Sequence, residues 1–139
     1  MVAPKGPSHT VALKVPFYDL DPMQIVWHGN YLKYFDFARS ELFDSLGVDL
    51  FAVHERTRYI FPIVRTAVKH IHPLKRGDEF LCTATVTEAR TKIVVAFEIR
   101  LAGNGTLCAK GTTEQVAVRM PDMELAFSIP EEIREALGF

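Results

Sequence analysis

Residues 18–47 read YDLDPMQIVWHGNYLKYFDFARSELFDSLG, and this stretch decides the fold. From Asn30 onward, Tyr31, Phe35, Ala38, Leu42 and Leu46 recur at helical spacing and form one face. Leu32, Tyr34, Phe37 and Phe43 widen it on both sides, leaving Lys33, Asp36, Ser40 and Asp44 a narrow polar strip. A helix apolar over so much of its circumference is enclosed by other elements, not laid on a surface. Asn30 is placed to cap it, because an asparagine oxygen accepts a free N–H of the first turn. Lys33 stands where a capping box needs Glu or Gln. Gly47 can take the left-handed conformation that ends a helix. Small Ala38, in mid-stripe, lets a sheet approach closely. The rest of the chain must then supply the wrapping.

It has the material to do so. The order is a strand over Thr10–Phe17, the helix, a mixed and irregular connection over Asp49–Tyr59, and then strands. Tyr59–His72 is rich in Ile and Val, with Pro62 marking an edge or a bulge. Pro73–Asp78 is a turn around Gly77. Glu79–Glu88 alternates, Phe80, Cys82, Ala84 and Val86 on one face, and Leu81, Thr83, Thr85 and Thr87 on the other. The threonine face is wet or a subunit contact. Lys92–Ala102 alternates in the same way, and Gly103-Asn104-Gly105 is a hairpin turn. Thr106–Met120 reads as one last long strand, and Pro130 opens a short helix over 130–138. No helix separates the late strands, which excludes a parallel sheet. The expectation is α+β: one domain over residues 1–139, an antiparallel sheet wrapped around a long central helix, with residues 1–9 as a flexible arm.

Composition narrows the function. The formal net charge is −1, which gives no electrostatic basis for nucleic acid as a partner. The N-terminus has no apolar run of signal-peptide length, and no stretch is long and apolar enough to span a membrane. Cys82 and Cys108 sit in strand-like runs without metal-ligand spacing and read as buried free thiols. A cytoplasmic protein is expected.

Asp21 is the leading chemical residue. It lies in a loop that runs into a helix N-terminus, where unpaired N–H groups and the dipole favour developing negative charge. A carboxylate beside such donors is a hydrolytic pair: the acid attacks or activates water, and the amides hold the oxyanion. The competing reading is that Asp21 makes only an Asx-Pro turn. Glu41 is a rival carboxylate, read more simply as the ion-pair partner of Arg39 or another base. His70 and His72 could share a metal on one strand face, but a third ligand is missing from the pattern. Asp19 reads as a turn or surface acid.

The stretch DLDPMQIVWHGNYLKYFDFAR resembles the signature of the hotdog-fold thioesterases of the 4-hydroxybenzoyl-CoA thioesterase type, and HPLKRGDEFLCTATV resembles the family's second recurrent segment. With the element order, the likeness spans roughly residues 10–120. It implies a hotdog fold and hydrolysis of acyl-CoA to a free acid and CoA. The acid before the proline, Asp21, would be the catalytic carboxylate. The backbone amide at the helix start, at His28 with Gly29 beside it, would polarise the carbonyl. Asn30, Tyr18 and Trp27 would frame the pocket, with Met23, Ile25, Val26 and Phe61 as further apolar lining. Arg90 and Lys92, or Arg56 and Arg58, would meet the CoA phosphates. Gln24 departs from relatives that carry a small residue there. No cofactor or metal is implied, CoA being part of the substrate. A site between subunits is implied, so a dimer or a tetramer is expected. A non-catalytic acyl-CoA binding module and an acyl-carrier-protein thioesterase are the alternatives; a hotdog dehydratase fits the motif less well.

Overall fold

The computed structural model describes residues 6–139. Its elements in chain order are β1 Ser8–Lys14, a 3-10 turn Phe17–Asp19, α1 Asn30–Ser45, α2 Leu50–Thr57, β2 Tyr59–Ile60, β3 Ile63–His70, β4 Glu79–Glu88, β5 Ile93–Leu101, β6 Leu107–Gln115, β7 Val118–Arg119, β8 Glu124–Leu125 and α3 Glu131–Ala136. The main sheet has five strands in the order β1-β4-β5-β6-β3, every pair antiparallel. One face of it closes on α1. Phe80, Cys82, Ala84 and Val86 of β4 and Ile93, Val95 and Ile99 of β5 are all fully buried there. So are Phe35, Ala38 and Leu42 of the helix, which confirms the enclosed stripe.

The closest seam lies where Phe35 stacks on Phe97 with ring centroids 4.5 Å apart. Gly111 makes room for it: a Cβ there would come within 2.3 Å of the Phe35 ring. The helix ends as its sequence predicts. Gly47 takes φ +73°, its N–H bonds the Asp44 carbonyl, and the Val48 N–H bonds that of Phe43, the paired bonds of a Schellman motif.

Several expectations are corrected. The first strand begins at Ser8, not Thr10, and ends at Lys14. Ser8 and His9 therefore belong to the sheet, opposite Thr85 and Ala84. Residues 1–5 of the expected arm lie outside the described residues. The connection read as irregular holds α2, an eight-residue helix capped by Asp49, whose Oδ1 accepts the Phe51 and Ala52 N–H groups. The run Tyr59–His72 breaks at Pro62 into β2 and β3, and β3 carries a bulge between Ile63 and Arg65. Thr106–Met120 likewise divides into β6 and β7, because β2, β7 and β8 form a small sheet of their own. The threonine face of β4 is partly paired through hydroxyls, Thr83 with Thr10 at 2.8 Å and Thr85 with Ser8 at 3.1 Å. Cys82 and Cys108 are free and buried, and burial pushes the Cys82 thiol up to about 12. No helix among the described residues is long and apolar enough to cross a membrane.

Candidate active site

The loop before α1 is held on three sides. The Leu20–Val26 bridge closes it on itself, the Ile25–Lys75 bridge ties it to the segment before β4, and the Val26 N–H bonds the Leu74 carbonyl at 2.9 Å. At its tip the Asp21 N–H bonds the Ile25 carbonyl at 2.8 Å, and the Gln24 N–H bonds the Asp21 carbonyl at 3.0 Å. Gln24 sits at φ +68°, a left-handed position that a glycine takes without strain. That gives a physical reason for the small residue expected at this point.

The two acids of the loop have opposite environments. Asp19, read from sequence as a surface acid, is buried. Its Oδ1 takes the Lys33 Nζ at 2.6 Å, and its Oδ2 accepts the Tyr34 hydroxyl at 2.6 Å. Its backbone carbonyl accepts the Trp27 N–H and the Asn30 Nδ2, each at 2.9 Å. Burial and the neighbouring Asp19 carboxylate hold the Tyr34 phenol protonated, well above its usual range. Asp21 is half-buried, and its only side-chain bond among the described residues is Oδ1 accepting the Met23 N–H at 2.8 Å. It does make the Asx turn, and one carboxylate oxygen remains uncommitted. Only position hinted at the Asp19 cluster: Lys33 and Tyr34 stand one helical turn after Asn30.

The helix start differs from its expected form. Asn30 is not the cap. Gly29 occupies that position in right-handed helical conformation, and the Asn30 side chain reaches back to the Asp19 carbonyl. The first turn is tightened by Asn30 N–H to Trp27 O, Tyr31 N–H to His28 O and Leu32 N–H to Gly29 O. The donors left over are thus moved outward. Among the described residues, neither the His28 nor the Gly29 N–H finds an acceptor. They are consecutive amides at the positive end of a sixteen-residue helix.

Aromatic side chains surround those amides. The Trp27 ring covers Gly29 so closely that a Cβ on Gly29 would lie 2.2 Å from it. His28 is exposed, and its ring is 5.1 Å from Trp27 and 6.5 Å from His70 at the end of β3. His70 in turn meets Tyr31 edge-on at 4.7 Å. Tyr18 is exposed beside Phe17, with the Lys33 Nζ 5.9 Å above its ring. Asp21, His28, Gly29, Asn30, Tyr18 and Trp27 therefore belong to one locality.

Arg90 and Lys92 do not. They lie in the connection after β4, whereas the Asp21 loop is pinned before it. Ten residues of strand at about 3.3 Å each put roughly 30 Å between the two ends. Lys92 is also taken, its Nζ bonding Glu114 at 2.8 Å. Arg56 pairs with Glu132 at 2.5 Å. Of the expected apolar lining, Met23 and Trp27 are exposed at the loop, but Val26 is core and Phe61 is buried beside α2. Arg39 bonds Asp36, not Glu41. Among the described residues no group of three or more His, Cys, Asp or Glu side chains is placed to share a metal ion.

An amide pair without acceptors among the described residues, at the end of the loop that carries a half-committed carboxylate, suits attack on an activated carbonyl. The profile of the thioesterase-like superfamily matches residues 15–137, which is nearly all of the described chain. The chain belongs to the thioesterase-like superfamily. It is a thioester hydrolase with the hotdog fold. The acyl-CoA thioesterase YbgC of Haemophilus influenzae is 25% identical over 124 residues, covering 89% of this chain and 90% of its own length. Two solved structures share the architecture. One is Slr0204, a 1,4-dihydroxy-2-naphthoyl-CoA thioesterase from Synechocystis, with TM-score 0.85, 22% identity, and 94% of this chain and 95% of that one covered. The other is a 4-hydroxybenzoyl-CoA thioesterase mutant complexed with 4-hydroxybenzoyl-CoA, with TM-score 0.84, 19% identity, and 95% and 99% covered.

Proposed function

We propose that the protein hydrolyses acyl-CoA thioesters to the free acid and CoA at the junction of the Asp21 loop and α1. The observation that carries this reading is the pair of N–H groups at His28 and Gly29 that find no acceptor among the described residues, at the end of the loop that holds a carboxylate with one free oxygen. The thioester oxygen takes the two amides, which stabilise the charge that develops on it as the carbonyl carbon is attacked. Asp21 attacks the carbon directly, giving a mixed anhydride that water then opens, or it removes the proton from an attacking water. Either route releases CoA as the thiol. The acyl-CoA relative from Haemophilus, aligned over most of both chains, supports the choice of thioester.

Asp21→Asn keeps the acceptor for the Met23 N–H, so the loop is expected to survive while turnover falls about 10²- to 10⁴-fold. Normal turnover by this variant on a panel of CoA thioesters removes Asp21 from the mechanism. Single turnover of the native protein in oxygen-labelled water separates the routes, since label enters the Asp21 carboxylate only through the anhydride.

The complete enzyme in this reading is a two-fold dimer or a dimer of such dimers. β3 is an edge strand, exposed along nearly its whole length, with large apolar side chains at Ile63 and Val64. Antiparallel pairing of two β3 edges sets the end of one strand beside the start of the other. The Arg90–Lys92 connection of one protomer then approaches the His28 end of its partner, where CoA phosphates need cations. Sedimentation showing only monomer at working concentration rules this part out.

A further inference from the structure

The backbone does not explain why residue 29 is a glycine. Gly29 sits at φ −65° and ψ −23°, right-handed helical values that any residue adopts. The Trp27 side chain does explain it. A Cβ at Gly29 would stand 2.2 Å from the indole Cζ3, 2.4 Å from Cη2 and 2.7 Å from Cε3, so three ring atoms fill the space that any other residue needs. The six-membered edge of the indole is thus seated on Gly29. In a helix the Cα–Cβ direction tilts toward the N-terminus. The ring therefore stands at the open rim of α1, where the His28 and Gly29 N–H groups find no acceptor among the described residues. The Gly29 nitrogen is two covalent bonds of about 1.5 Å each from that Cβ position, which puts it within about 5 Å of the ring edge.

Core packing does not hold Trp27 there, since the residue is 50% exposed. Its backbone is fixed instead. The Trp27 N–H bonds the carbonyl of buried Asp19 at 2.9 Å, and its own carbonyl accepts the Asn30 N–H at 2.9 Å. The His28 ring leans on the indole with centroids 5.1 Å apart. One side of the amide pair is therefore walled by an apolar ring in a defined place. That matters to the donors. An amide open to water on every side gains little by receiving an oxyanion, because it gives up an equivalent bond to water. An apolar wall lowers the local dielectric and keeps water off that side, so the same donor stabilises developing charge more.

We propose that Trp27 is a positioning residue of the hydrolysis: its indole shields one side of the His28–Gly29 amide pair from water, and Gly29 is the notch that seats the ring. The proposal rests on the thioesterase reading and adds to it a side chain that acts through the amides.

The test is a double-mutant cycle of Trp27→Ala and Gly29→Ala, with kcat and KM measured on whichever CoA thioester of a short-chain, long-chain and aryl panel the native protein turns over fastest. Alanine is no worse than glycine in right-handed helical backbone, and Trp27 is half exposed, so both variants are expected to fold. Each is expected to lower kcat by about tenfold, less than the loss of an oxyanion donor itself costs, with KM changed by less than about threefold. The double variant is expected to be no slower than Trp27→Ala, since the added methyl has no ring left to displace. Trp27→Phe keeps a ring at the rim and is expected to fall between Trp27→Ala and the native protein. Trp27 is the only tryptophan in the chain, so acrylamide quenching of its fluorescence follows the seat without reference to activity. Quenching is expected to rise in Gly29→Ala. Native kcat in Trp27→Ala overturns the proposal. So does a loss in Gly29→Ala that persists at full size when Trp27 is already gone, because the methyl then obstructs the amides by itself. Quenching unchanged in Gly29→Ala overturns the seat. All three leave the thioesterase reading standing; a native protein that hydrolyses no CoA thioester sinks that reading and this role together.

Discussion

On one flank of α1, toward β1 and β4, Asp19 gathers Lys33, Tyr34, the Trp27 amide and the Asn30 amide, and Tyr34 lies 4.9 Å from Phe80. On the other, toward β3, Arg39 has Asp36 alone, and Thr113 and Gln115 keep atoms without partners among the described residues. Both flanks bury polar groups at the same helix. The first satisfies them from within the chain and so fixes the loop that carries Asp21. The second leaves them without partners among the described residues. Burying a polar group stabilises a fold only when its hydrogen bonds are made. The first flank therefore reads as scaffold, and the second as one whose polar groups the described chain leaves unsatisfied.

The largest effect expected from this contrast is at Asp19. Asp19→Ala strands the buried Tyr34 hydroxyl and removes the carboxylate tie between loop and helix while keeping the backbone ones, at a cost of about 2–4 kcal/mol. The Lys33 partner adds little, because that side chain is half exposed and its ion pair is screened. Asp21→Asn, two residues away, is expected to change stability by less than about 0.5 kcal/mol, since an exposed-loop acceptor is preserved. Urea unfolding of the two variants side by side measures the difference. Equal midpoints would break the division between a structural and a chemical acid.

The same contrast explains what the sequence could show. Period and punctuation carried the large elements: β4 runs from Glu79 to Glu88 as its alternation requires, and α1 stops at the left-handed Gly47. Asp21 and the helix start were legible because a motif concentrates them in one loop. α2 was not, because Val53 is the only buried residue among eight and no apolar face announces it; the capping Asp49 was the available signal. The small sheet of β2, β7 and β8 was hidden for a related reason, each strand having two residues, too few to show a period. Asp19 was misjudged because charge predicts exposure on average. Its burial follows from Lys33 and Tyr34, partners supplied by another turn of the chain, and no local pattern encodes them. Lys92 failed in the opposite sense. Its place in a turn suggested a free cation, but Glu114, twenty-two residues on, neutralises it across the β5–β6 pair.

The smallest effect expected is also the most direct probe of the unsatisfied flank. Thr113→Val exchanges a buried hydroxyl for a methyl of nearly the same size. Where a hydroxyl is already bonded, that exchange costs the bond and the fit; where it is unpaired, it removes a desolvation penalty. Thr113 Oγ1 is of the second kind, so the variant is expected to be as stable as the native protein or more stable by up to about 1 kcal/mol. Urea midpoints measured at a concentration where the protein is fully assembled decide the matter. A clear loss of stability there would mean that the hydroxyl is bonded in the assembled protein, with a second copy of the chain supplying the partner. The flank toward β3 would then be closed by association, and the contrast between the satisfied and the unsatisfied flank would have to be redrawn at the level of the dimer.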